Sequence, residues 1–189
     1  MKNWLRVCAL LATTLVLNAC GGIPVSTDYD PGWRLPQPAT FAWMERPHRQ
    51  QTVDPLVDND LVAGRIHRAV NEQLESKGLR EADTEQQADL LATYHVGQEE
   101  RLDITSFRSN YGYYPCWNCF GFGPGFDSDI WVTQYTEGKL IIDLVDAKTK
   151  KLVWRGMATR RLPNFRTPAE RDTYIRETVA AIFKGFPPN

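Results

Sequence analysis

The spacing of apolar residues predicts a helix over residues 58–77. Its apolar positions recur three and four residues apart, as on one face of a helix, and charged residues lie between them. Lys77-Gly78 is a typical helix end, with a cation in the last turn and a glycine that accepts a positive φ. The residues predicted to face the core are Leu61, Ile66, Ala69, Val70 and Leu74.

A second amphipathic helix is predicted near the C-terminus. Thr167 suits the N-cap, Pro168 the first helical position and Glu170 the third, which together form a capping box. Apolar residues follow at helical spacing, and Pro187-Pro188 ends the pattern. We expect this helix to pack on the core through Ile175, Val179, Ile182 and Phe186.

Strands are predicted where short aliphatic runs are bounded by turn residues. The clearest pair is a hairpin of 138–145 and 152–158, because its polar connector 146–150 is turn-prone. The order β-α-β-β-β-α is typical of an α+β fold. We therefore expect a two-layer sandwich in which a mainly antiparallel four-stranded sheet carries two amphipathic helices on one face, with Trp43 and Trp154 in the core. The other predicted strand segments are 28–43 with turns at its prolines, 88–96, and a further candidate at 130–136.

The N-terminus has the features of an export signal. Lys2 and Arg6 accompany an almost wholly apolar run, 7–17, which is too short to cross a bilayer because a spanning helix needs about 20 residues. Its length is that of the apolar region of a signal peptide. Leu17-Asn18-Ala19-Cys20 follows and resembles the lipobox of bacterial lipoproteins, although Asn18 departs from the commoner small or aliphatic choice.

The lipobox resemblance implies cleavage after Ala19 and a diacylglycerol thioether on Cys20, often with an acylated amine. Two or more acyl chains anchor a protein stably. Gly21 is not the aspartate that retains lipoproteins in the inner membrane of enteric bacteria, so we expect the outer membrane, facing the periplasm. The alternative is an ordinary secretory signal with an incidental cysteine. The expected organisation is a signal peptide at 1–19, a lipidated tether at 20–27 and one exported domain at 28–189.

The charge balance excludes one class of partner. The chain has 22 basic and 23 acidic side chains, and removal of Lys2 and Arg6 with the signal peptide leaves 20 basic (22 − 2) against 23 acidic. No overall field therefore draws the domain to nucleic acid. With 42% hydrophobic and 24% charged residues, the composition is that of an ordinary globular protein.

Two cysteines remain in the exported domain, Cys116 and Cys119. Because disulfides persist outside the cytoplasm, we favour a local disulfide between them; free thiols, half of a metal site and a redox-active CxxC are the alternatives. The glycines and proline after Cys119 oppose the helix that would activate a redox thiol. Since no histidine has metal-ligand spacing, we expect neither a metal nor a cofactor.

An aromatic and glycine-rich insertion spans residues 107–131. Nine of its 25 residues are aromatic, and four glycines lie among them. Long loops often carry binding sites, and aromatic residues are enriched at interfaces. We expect a contact surface for a protein, a membrane interface or a glycan; alternatively, the loop packs over its own sheet edge. The candidate contact residues are Tyr111, Tyr113, Tyr114, Trp117, Phe120 and Phe122.

Several short motifs are distributed over most of the chain. They are Asp28-Tyr29-Asp30, Phe41-Ala42-Trp43, Ala88-Asp89-Leu90, the block 137–146, Leu152-Val153-Trp154-Arg155-Gly156 and Phe186-Pro187-Pro188. Together, over roughly residues 25–188, they resemble the bacterial lipoprotein family catalogued as domain of unknown function 4136 (DUF4136). The resemblance implies an exported, usually lipid-anchored α+β domain, and it brings no catalytic residues because the family has no established activity.

The sequence contains no motif that supports an enzyme. It has no Gly-x-Ser-x-Gly elbow, no His-Glu-x-x-His and no Walker A loop. His67 and His95 are expected to be structural, and Asp143 and Asp146 to be turn formers. We therefore expect a non-enzymatic envelope module that binds or scaffolds an envelope protein or a cell-wall component. A thiol-redox or other envelope enzyme that uses the CxxC is the alternative.

The lipobox generates the first testable prediction. Replacement of the lipid-accepting sulfur in Cys20→Ser should release the protein from membranes or leave it as an uncleaved precursor, because the thioether cannot form. Membrane fractionation and mass spectrometry of the N-terminal peptide measure both effects. The interpretation is wrong if the variant fractionates like the parent and the parent carries no lipid mass on Cys20.

Overall fold

The structure, a computed structural model, describes residues 22–37, 39–44, 58–106 and 130–188. These form eight main elements and two short 3₁₀ turns, and neither described helix has the length and apolar character needed to cross a membrane. The elements are β1 (Val25–Tyr29), β2 (Thr40–Trp43), α1 (Asp60–Ser76), β3 (Arg80–Glu81), β4 (Leu90–Ser106), β5 (Ile130–Asp146), β6 (Leu152–Arg161) and α2 (Pro168–Ile182); the 3₁₀ turns are Glu85–Gln87 and Phe183–Gly185.

The fold is α+β, as predicted, but the sheet is larger and mixed. Six strands lie in the order β1-β6-β5-β4-β2-β3. The prediction of four mainly antiparallel strands was wrong for two reasons: the segment 28–43 contributes to two strands rather than one, and the short strand β3 was not predicted. β1 pairs antiparallel with β6, whereas β2 lies parallel to both β4 and β3. The chain between β2 and β4 includes α1, the type of crossover that parallel strands require.

The central strands are much longer than the sequence pattern indicates. β4 and β5 each have 17 residues, paired along their whole length from Leu90↔Asp146 to Ser106↔Ile130. The predicted strand 88–96 therefore continues to Ser106, and the two candidates 130–136 and 138–145 are one strand. Ile130 and Trp131, placed in the insertion by sequence, belong to β5.

The end of α1 and the start of α2 lie where local side-chain chemistry predicts, but α2 ends earlier than predicted, at Ile182. Phe186, predicted on its core face, is buried just after the 3₁₀ turn that follows the helix. The Asn59 carboxamide oxygen accepts hydrogen bonds from the amides of Leu61 and Val62 at the start of α1, and Gly78 follows its end with a φ of 87°. The Thr167 hydroxyl accepts from the Glu170 amide at the start of α2, which confirms the predicted N-cap. Leu61 was predicted to face the core and is 71% exposed; Val62 is buried in its place.

The main core lies between the two helices and one face of the sheet. Trp154 is buried, as predicted, and its ring lies 5.3 Å from that of Phe183 and 5.2 Å from that of Phe186. Gly156 permits this packing, because a Cβ there would overlap Ile182 and Trp154. Trp43, also predicted as core, is half-buried and stacks on the His67 ring at 3.7 Å.

The position of Ile182 generates a stability prediction. Its side chain is fully buried against the Trp154 cluster, so Ile182→Ala should lower the free energy of unfolding by about 2–4 kcal/mol. Arg176→Ala on the exposed side of α2 is the control and should shift the unfolding midpoint little, because surface ion pairs contribute little. Equal shifts for the two variants would show that the buried face of α2 is misassigned.

Candidate functional site: a projecting ribbon and a cationic groove

The residues that the sequence predicts for lipidation, for the disulfide and for partner contact lie outside the described part of the chain. Cys20, Cys116 and Cys119 lie there, and so do the six candidate contact aromatics between Tyr111 and Phe122. Lipidation, the disulfide and the contact surface therefore stay predictions. The described residues instead define how the insertion is attached to the domain.

The insertion is attached through a two-stranded ribbon. β6 accompanies β5 only as far as the pair Glu137↔Arg161, and β2 accompanies β4 only as far as Trp43↔Ala92. Beyond these points β4 and β5 pair with each other alone among the described strands. The ribbon, defined as residues 99–106 with 130–137, starts at the last pair that β6 flanks and extends seven further residues in each strand, or about 24 Å at roughly 3.4 Å per residue.

Polar pairs hold the ribbon together where its side chains are described. The Gln134 amide donates to the Glu100 carboxylate at 2.7 Å. The Arg101 guanidinium lies 3.0 Å from the Glu99 carboxylate and 3.4 Å from that of Glu137, so one cation separates two carboxylates that face each other across the strands. Exposed pairs of this kind each contribute no more than about 1 kcal/mol. Where its side chains are described, the ribbon is therefore held by its backbone ladder and by weak surface contacts.

The sheet face opposite the helices carries a buried carboxylate. The side chain of Asp143 is 6% exposed and accepts two hydrogen bonds from Arg155, at 2.6 and 2.7 Å. These bonds raise the pKa of the Arg155 guanidinium above its usual value. The prediction that Asp143 forms a turn was therefore wrong. Asp143 lies inside β5, and its buried carboxylate is compensated by the ion pair with Arg155 of β6.

Asp146, in contrast, is the turn former that the sequence predicts. Its carboxylate accepts from the amide and hydroxyl of Thr149 at 2.7 and 2.8 Å, and these bonds lower its pKa. His95 is 61% exposed, with Nε2 3.5 Å from an oxygen of Asp143. Both oxygens of Asp143 already accept hydrogen bonds from Arg155. The His95, Asp143 and Arg155 side chains therefore resemble a structural cluster more than a proton-transfer site.

A groove of about 300 Å³ lies where the helix layer ends and the ribbon begins. Its apolar surface comes from both helices and three strands, and Arg160, Arg171 and Lys139 also line it. Arg160 is held by hydrogen bonds to the Tyr174 carbonyl at 3.2 Å and the Thr178 hydroxyl at 2.9 Å. Its guanidinium also lies 4.2 Å from the centre of the Tyr174 ring, and burial raises the pKa of the Tyr174 phenol.

The sequence analysis did not predict this groove. The signal that could have found it is the position of Arg160, which shares the core-facing register of β6 with Trp154, Gly156 and Ala158. A cation at such a position is unusual unless it is paired or serves a site. The rest of the groove is assembled from residues far apart in the sequence.

Comparison with known families identifies the chain. The sequence profile described as "Domain of unknown function (DUF4136)" matches residues 25–188. The chain belongs to the DUF4136 family. No curated protein matches it significantly.

The solved structures that resemble this DUF4136 domain are distant in sequence. A PDZ domain protein from Parabacteroides distasonis aligns with a TM-score of 0.52 at 14% identity, over 88% of this chain; this chain spans only 36% of that protein. A DUF4136 family protein from Bacteroides thetaiotaomicron aligns at 0.45 and 16% identity, over 88% of this chain and 96% of its own. A dodecameric point variant of PelC from Paraburkholderia phytofirmans aligns with a TM-score of 0.46 at 13% identity, over 85% of this chain and 96% of its own. At such identities the first alignment supports the fold alone.

Proposed function

We propose that this DUF4136 protein is a lipid-tethered envelope module without catalytic activity, which binds another envelope component through its insertion. The observation that carries the proposal is the ribbon. It extends the chain about 24 Å beyond the last strand pairings of the core. The insertion 107–129 is therefore joined to the domain through two strands.

A two-stranded ribbon contributes little to the stability of the fold. Two-stranded hairpins are marginally stable in water, because three or more strands or a packed helix are needed for independent stability. The described ribbon residues Glu99, Glu100, Arg101 and Leu102 are exposed. A ribbon that is exposed at these residues and leads to the eight aromatic residues of 107–129 is better explained by a binding partner than by packing of the core.

The direction of β1 supports a partner at or near the membrane surface. β1 and β5 are both antiparallel to β6, so they run in the same direction. Val25 and Leu140 both pair with Ala158 of β6, so they lie at the same height in the sheet. From Leu140, β5 extends ten residues back to Ile130 (140 − 130 = 10), or about 34 Å. The tether leaves Val25 at the same end of the sheet.

The length of the tether limits the distance between the domain and the membrane. Cys20 precedes Val25 by five residues, which reach at most about 18 Å when fully extended. A lipid on Cys20 would therefore hold the domain closer to the bilayer than the ribbon is long. The ribbon would lie along the membrane surface or touch it, where the insertion meets membrane proteins, lipid headgroups or wall material attached there.

Replacement of residues 112–125 by a short Gly/Ser linker tests the proposal. The melting transition should stay nearly unchanged, because the core lies at the other end of β4 and β5. In-cell crosslinking with mass spectrometry should lose the partners captured by the parent protein.

The control is Leu152→Ser, which removes an apolar side chain, 45% exposed, at the start of β6. This variant should keep the parent's crosslinks. If the linker variant unfolds, the aromatic residues belong to the core. If it folds and keeps every crosslink, the partner binds elsewhere.

A further inference from the structure

The groove beside Arg160 combines an apolar floor with a cationic lining. We propose that it binds an amphiphilic anion: a single hydrocarbon chain of medium length that ends in a carboxylate. The residues that line the groove come from outside the insertion, and the proposal does not depend on the function proposed for the insertion.

The hydrocarbon part of the ligand fits the floor of the groove. Val62 from α1, Ile175 from α2 and Leu140 from β5 line it, and each keeps between 7% and 9% of its surface exposed. Val96 of β4, also in the lining, is half-buried. These residues form the open edge of the main core, so a hydrocarbon chain would extend the core there. The volume of about 300 Å³ is at the lower end for ligand pockets, which favours a short or medium chain.

The charge of the groove selects an anion. Arg160, Arg171 and Lys139 line it, and no carboxylate of the described residues does. The acidic neighbour of Arg160 is Glu177, whose side chain is 56% exposed and lies 3.5 Å from Nη2, outside the groove lining. Three cations around apolar walls complement a single carboxylate, because charge-assisted hydrogen bonds are the stronger ones in a partly desolvated site.

Arg160 still has donors to offer. Both N–H groups of its Nη1 are used by the Tyr174 carbonyl and the Thr178 hydroxyl, and Nη2 makes one long contact to Glu177. Of the five N–H groups of a guanidinium, the Nε proton and one Nη2 proton have no partner among the described residues. Arg171 stacks 5.0 Å from the centre of the Phe165 ring, which leaves its N–H edge able to bind a carboxylate bidentately.

Isothermal titration with three ligands of equal chain length tests the charge selection. The protein is the chain from residue 20 onward with Cys20→Ser, which carries no acyl group of its own. Decanoate should bind at least tenfold more tightly than decanol, and decyltrimethylammonium should bind more weakly still. Equal affinities for the anion and the cation, or no decanoate binding by the folded protein, would overturn the proposal.

Variants then locate the site. Arg171→Gln should weaken decanoate binding about tenfold, the loss expected for one charge-assisted hydrogen bond, and should leave decanol unaffected. Arg176→Gln is the matched control, because it removes an arginine from the same helix outside the groove. Val62→Phe fills the apolar floor and should weaken decanoate and decanol alike. If Arg171→Gln and Arg176→Gln bind decanoate equally, the anion lies elsewhere and the proposal fails.

Discussion

The difference in rise between a helix and a strand governs this structure. α1 and β4 each contain 17 residues, but a helix rises about 1.5 Å per residue and a strand about 3.4 Å. α1 is therefore about 26 Å long, and β4 about 58 Å. A helix of the same number of residues cannot cover the whole length of the strand. The part of β4 and β5 beyond the last pairing with β6 is the ribbon, and the groove lies at its base.

Sequence reasoning succeeded where structure is encoded locally. The Thr167 cap, the Asp146 turn and Gly78 depend on neighbours within a few residues, so a single stretch of sequence predicts them. It failed for β1 and β2, because strands from one short segment lie on opposite sides of the sheet and no local pattern records such pairing. It also ended β4 too early: period-two alternation needs one buried face, and residues 98–101 are exposed on both.

The two candidate sites also differ in how far a local stretch of sequence predicts them. The insertion was identified from composition, because aromatic density is visible in any window of sequence. The groove needs Val62, Leu140, Arg160 and Ile175 from four elements, and none of these residues is unusual until the fold brings them together. Asp143 and Asp146 look alike in sequence, yet one pairs with Arg155 inside the sheet and the other closes the hairpin.

Amide hydrogen exchange along β4 and β5 tests most directly whether the helix layer divides these strands into a covered core and an exposed ribbon. Amides of 90–96 and 140–145 should exchange only through global unfolding, since they lie under the helices. Amides of 100–106 and 130–136 should exchange at least about 100-fold faster, through local opening of a ladder that no third strand flanks among the described residues. Equal protection along both strands would contradict the account, because it would mean that the ribbon is part of the cooperative core.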